Sequence, residues 1–223
     1  MKNLSARFSW GKQLNLTLLL VIGIFWLAAT PAFAHHAFGG KLPQNLWQGF
    51  LSGLAHPVIG FDHLAFIVSI GLVAAIERQG IWLPIVFVLA AMGGTASHVA
   101  GWNLPIAELF VSISVLFFGI LLAIENNLNG WIVIALAAIS GLFHGYAYGE
   151  AIFGAEMTPL LSYLAGFTVV QLIISIVSFS IAKMFILGVT EERSSILRFA
   201  GFFICGVGAT FLANLIVGTI FPT

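Results

Sequence analysis

The chain reads as an all-α integral membrane protein, a compact bundle of about six transmembrane helices after a cleavable signal peptide. Three observations predict this class. Hydrophobic residues make up 60% of the 223 residues and charged residues only 7%, with mean hydropathy +1.08, whereas soluble domains carry roughly 25% charged residues. Apolar runs of the length a helical span needs, about 20 residues, recur along the chain. Short breaks rich in turn and cap residues separate those runs.

Residues 1–34 have the layout of a secretory signal. Lys2, Arg7 and Lys12 form a positive leading region, Leu14 to Ala29 an apolar core, and Ala32-Phe33-Ala34 the small-x-small pattern before a cleavage point. Residues 35–223 are then a single six-helix transmembrane domain. Its five basic and eight acidic residues leave a net charge of −3. No basic cluster is present to neutralise phosphates, which argues against nucleic acid as a partner. Cys205 is the only cysteine, so it forms no internal disulfide and no thiolate metal site, and it reads as a small packing residue.

The first expected span, residues 46–76, is too long for a straight crossing. At 1.5 Å per residue it would reach about 46 Å against a hydrocarbon core of about 30 Å. Pro57 and Gly60 weaken the helix within it, so a kinked or broken helix is expected there. Such breaks are tolerated in membranes only where backbone is buried in protein or lines a cavity, a common place for ions to bind. The remaining expected spans are 81–100, 106–124, 130–150, 159–184 and 197–220. Tight connections make sequential helices antiparallel neighbours. With an extracytoplasmic mature N-terminus, Arg78, Lys183, Arg193 and Arg198 flank cytoplasmic loops and only Lys41 lies outside, in the sense of the positive-inside rule. Trp47, Trp82, Trp102 and Trp131 fall near span ends, as an interfacial belt requires. Gly93, Gly94, Gly141, Gly145, Gly149, Gly206 and Gly208 are candidates for close helix approach.

Inside these apolar segments stand side chains that a bilayer penalises by a few kcal/mol or more apiece unless a partner, a cavity or an ion compensates. His56, Asp62 and His63 lie in the first span and His144 and Glu150 in the fourth; His98 ends the second and Glu108 opens the third. Imidazole with carboxylate is the ligand set of a divalent transition metal. Positions 56 and 63 differ by about 20° in heading on an ideal helix, so both rings can point one way. Asp62 can ligate an ion or hold an imidazole. His144 and Glu150 diverge by about 120°, and they share an ion only if the helix between them deforms. The proposed topology gathers His56, Asp62, His98, Glu108, His144 and Glu150 in the outer part of the bundle, with His63 deeper. After cleavage His36 becomes the second mature residue. Its imidazole, the free amine and the intervening amide nitrogen then form fused chelate rings suited to Ni(II) or Cu(II). Ser112, Ser114 and Ser140 form no convincing nucleophile set with a histidine.

The run His56-Pro-x-x-Gly-x-Asp62-His63, together with Phe143-His144-Gly-x-Ala-x-Gly-x-Glu150, resembles the two signatures of the HupE/UreJ family of membrane proteins. A signal peptide followed by six spans matches as well. The resemblance implies permeation of nickel, and in some members cobalt, in the service of hydrogenase or urease maturation. It implies functional roles for His56, Asp62, His63, His144 and Glu150, and more loosely for Glu108. No P-loop is present, so the chain itself does not read as an ATPase.

The expectation is therefore secondary or facilitated uptake of Ni²⁺, or Co²⁺, as the transported ion with no permanently bound cofactor. Two other readings stay open: an intramembrane zinc-dependent hydrolase and a non-transporting metal-binding assembly factor. The expected setting is a plasma or inner membrane, with lipid as surroundings and a second copy or a membrane partner compatible with the short loops.

Overall fold

The computed structural model describes residues 41–124, 128–188 and 192–221. The signal segment and His36 lie outside them. Seven helices and no strand occur among the described residues: α1 Leu46–Ile59, α2 Phe61–Ile76, α3 Trp82–Val99, α4 Ala107–Ala123, α5 Gly130–Glu150, α6 Met157–Gly188 and α7 Glu192–Ile220. Asn45 caps α1 by accepting from the Gln48 amide at 3.0 Å, and Asn129 caps α5 by accepting from the Trp131 amide at 2.9 Å. Helices α6 and α7 start earlier than expected. In α6 the reason is Pro159, which a first helical turn accepts without losing a hydrogen bond.

The first expected span is two helices, α1 and α2, bent by 81°. The break falls at Gly60 and not at Pro57, which α1 contains. A β-carbon on Gly60 would stand 2.6 Å from Cδ2 of His63, so only glycine lets the chain turn this closely over that ring. Helices α3, α5, α6 and α7 each contain a stretch long and apolar enough to cross a bilayer, and α1 with α2 qualify together as one bent pair. The 17 residues of α4 form a shorter apolar helix.

Packing falls mainly into three pairs: α1–α2 with α6, α3 with α5, and α4 with α7. Glycines set each pair, because a missing side chain lets one backbone lie on another. Gly94 faces Leu142 and Tyr146, Gly145 faces Ala91, and Gly149 faces Thr95 and His98. Contacts ascend along both helices, so α3 and α5 are parallel. Gly49 faces Pro159 and Ser162, and Gly53 faces Tyr163 and Phe167, which makes α1 and α6 parallel as well. Gly208 faces Leu116, while Gly201 faces Ala123 and Gly119, so α4 and α7 are antiparallel. Cys205 fills that seam, with its sulfur 3.6 Å from the Leu116 carbonyl oxygen. Gly93 corrects the expectation of close approach, since its α-carbon faces open space on the side of the helix turned away from α5. The four tryptophans near helix ends are all exposed.

Candidate functional site

Five rings from four helices meet in the interior: His56 on α1, His63 on α2, His144 and Tyr148 on α5, and Tyr163 on α6. None is more than 4% exposed. The break at Gly60 brings His63 back under His56, with ring centroids 6.0 Å apart. Across an 81° bend positions 56 and 63 no longer share one heading, yet the two rings meet because the bend folds α2 beneath α1. Helix α5 reaches them because Gly145 rests on the Ala91 backbone of α3. The Thr95 hydroxyl, 2.7 Å from the Gly145 carbonyl oxygen, ties the two helices beside His144.

The centre of the cluster is a direct contact. Nδ1 of His63 and Nδ1 of His144 stand 2.8 Å apart, with ring centroids at 4.9 Å. On the far side of His144, Oγ of Ser114 lies 2.9 Å from Nε2 and 2.7 Å from the Val111 carbonyl oxygen. A hydroxyl has one proton and a carbonyl oxygen can only accept, so that proton goes to Val111. Ser114 then accepts from Nε2–H of His144. A neutral His144 protonated there offers its Nδ1 lone pair, which accepts Nδ1–H of His63. This assigns the lone pair of His63 to Nε2.

Packing holds these orientations. Phe66 stacks on His144 at 4.2 Å, and Tyr148 covers His63 at 4.6 Å and His56 at 5.2 Å. Tyr163 donates its hydroxyl to the Tyr148 carbonyl at 3.0 Å and meets the His56 ring at 6.3 Å. Asp62 is buried beside the break. Its Oδ1 accepts from the backbone amide of His63 at 2.8 Å, in the first turn of α2, where the helix dipole favours a carboxylate.

The remaining expected site residues lie apart. Glu108, in the first turn of α4, and Glu150, the last residue of α5, are exposed. Helix α5 runs unbroken from His144 to Glu150, so the deformation that would join them does not occur. His98 is half-buried, its ring 4.4 Å from Tyr146 and 5.6 Å from Phe153. The expected outer gathering of six residues with His63 deeper is thus corrected: His63 belongs to the central cluster, and His98, Glu108 and Glu150 do not. Among the described residues no three His, Cys, Asp or Glu side chains are spaced to hold an ion together.

Sequence reasoning missed Tyr148 and Tyr163, and it read Ser114 only as forming no convincing nucleophile set with a histidine, although its hydroxyl meets His144. Tyr148 was within reach, since it lies four residues after His144 and therefore on the same helix face. Ser114 and Tyr163 carry no comparable signal, because their partners lie on other helices.

A family model described as HupE / UreJ protein matches residues 23–211. Protein HupE of Rhizobium leguminosarum bv. viciae is 28% identical over 158 residues, which cover 70% of this chain and 79% of that relative. No solved structure matches.

Proposed function

From the premise that this chain belongs to the HupE/UreJ family, we propose that it carries a divalent transition-metal ion, Ni²⁺ with Co²⁺ as close second, into the cell. The observation that carries this reading is the 2.8 Å contact between Nδ1 of His63 and Nδ1 of His144 in a fully desolvated setting. Imidazole nitrogens bind a zinc-like ion at about 2.0–2.1 Å, so two on one ion lie about 3 Å apart. The pair needs to open by a few tenths of an ångström, and each ring to turn so that its lone pair leaves the N–N line and points at the ion. His63 moves its proton from Nδ1 to Nε2, and both Nδ1 lone pairs then face the ion. Further donors from His56 and Asp62 require those side chains to move toward the pair, and Ser114 keeps the outer nitrogen of His144 protonated.

The packing directions support a topology of six crossings with α1 and α2 as one broken span. Spans one and five are then parallel, two and four are parallel, and three and six are antiparallel, as the glycine contacts are. The mature N-terminus is extracytoplasmic, after a cleaved signal. Arg78, Lys183 and Arg198 then lie at the cytoplasmic side. His98, Glu108 and Glu150 belong to the outer rim, where they attract the ion before the histidine centre takes it. A divalent cation moving inward gains about 4.6 kcal/mol per 100 mV of membrane potential, so no nucleotide is required.

The test is uptake of labelled nickel into proteoliposomes. Wild-type protein transports, and His63→Ala and Asp62→Ala fall to the level of empty vesicles. Equal uptake by all three rejects the reading.

A further inference from the structure

Gln171 on α6 is fully buried, and neither its amide nitrogen nor its amide oxygen has a hydrogen-bond partner among the described residues. The hydroxyls of Tyr148 and Thr168 are in the same condition. Buried polar atoms are nearly always paired, with protein or with ordered water, because desolvating them otherwise costs free energy.

Neighbours fix the level of Gln171 in the bundle. One turn before it, Phe167 packs against Tyr148 with ring centroids 5.7 Å apart, level with the histidine centre. One turn after it, Ser175 donates its hydroxyl to the Gln171 carbonyl at 2.7 Å. The Ser175 backbone meets Gly71, which lies two turns beyond His63 on α2. Gln171 therefore stands about one helical turn, ~6 Å, past the centre in the direction in which α2 and α6 both run.

We propose that the Gln171 carboxamide, with the hydroxyl of Thr168 three residues before it on the same helix, holds a short file of water where a divalent cation leaving the imidazoles regains its aqua ligands. A buried water needs two to four polar partners, and these side chains supply them. The amide oxygen accepts from water, the amide nitrogen donates to it, and the Thr168 hydroxyl does both. The set is neutral. It rehydrates a dication without trapping it, which a buried carboxylate would do. The role in release rests on the transport reading; the water itself does not.

Two measurements test this. The first is radiolytic hydroxyl labelling of the full chain in detergent without metal. Phe167, one turn from Gln171, is labelled several-fold faster than Phe118, an equally buried phenylalanine, and Gln171→Met and Gln171→Leu bring it down to the rate of Phe118. The second is nickel uptake in proteoliposomes, where Gln171→Leu lowers the maximal rate about tenfold and changes the half-saturating concentration less than twofold. A packing role for Gln171 predicts slow labelling of Phe167 in the wild type and a variant that transports as fast as the wild type, and either result overturns the proposal. Fast labelling in a wild-type protein that moves no nickel rejects the transport reading and leaves the water file standing. Should Gln171→Leu not fold, wild-type labelling and Gln171→Met decide.

Discussion

Helix α5 presents two ionisable residues in opposite surroundings. His144, in its middle, is fully buried, with both ring nitrogens in hydrogen bonds and Phe66 stacked on one face. Glu150, six residues on, is exposed at the helix end. The same division separates the whole centre, His56, His63 and Tyr148, from the rim of Glu108 and Glu150. Burial in a membrane makes every polar atom depend on a protein partner, while at the rim water serves. The centre is accordingly a product of packing and is sensitive to geometry. The rim carboxylates stand in water, where salt screens their charge.

The largest effect expected from this contrast comes from a residue with no chemistry. Gly145→Leu drives a side chain into the Ala91 backbone, separating α3 from α5 and displacing His144. Overpacking of this kind costs typically 1–3 kcal/mol or more, and folded, monodisperse protein and nickel uptake should both be lost. Gly93→Leu, one position from Gly94 but facing open space, should purify and transport as wild type does. Equal behaviour of the two would break the packing account.

His144→Ala should lower nickel uptake by about 100-fold or more while the protein still folds, because it removes half of the central contact. Ser114→Ala removes only the partner of Nε2, and the expected loss is about tenfold, as for other groups that orient a metal ligand. Ser114→Thr should restore most of it.

At the rim, Glu108→Gln and Glu150→Gln should each raise the half-saturating nickel concentration about two- to threefold at low ionic strength, and by nothing measurable at high salt. The smallest effect lies outside the spans. Burial at the C-terminal end of α2 pushes the Glu77 carboxyl up from its ordinary value. A raised carboxyl binds its proton more tightly when folded, so it costs stability once pH rises through that window and nothing below it. Glu77→Gln should therefore raise Tm by about a degree at pH 7 and leave it unchanged below about pH 4.

Much of the scaffold was legible in the chain itself. The apolar segments match the helices to within a few residues at most ends, and Gly60 marked the break, because length and backbone chemistry are local properties. Gly94, Gly141, Gly145 and Gly149 do carry close helix contacts, while Gly93, adjacent to one of them, points away, since a glycine does not declare which face it occupies. The site was legible in part. Its histidines stood out through their cost in a bilayer. Their pairing did not, for the Nδ1 contact joins residues 81 positions apart and depends on how α3 and α5 nest. Glu108 and Glu150 drew attention by the same cost argument and lie at helix ends, where water removes that cost.

The most direct test is nickel K-edge X-ray absorption on the metal-loaded full chain beside His63→Ala and His144→Ala. The account predicts imidazole scattering from at least two nitrogen ligands in the wild type, with fewer in each variant. An all-oxygen shell, the same in all three proteins, would contradict it.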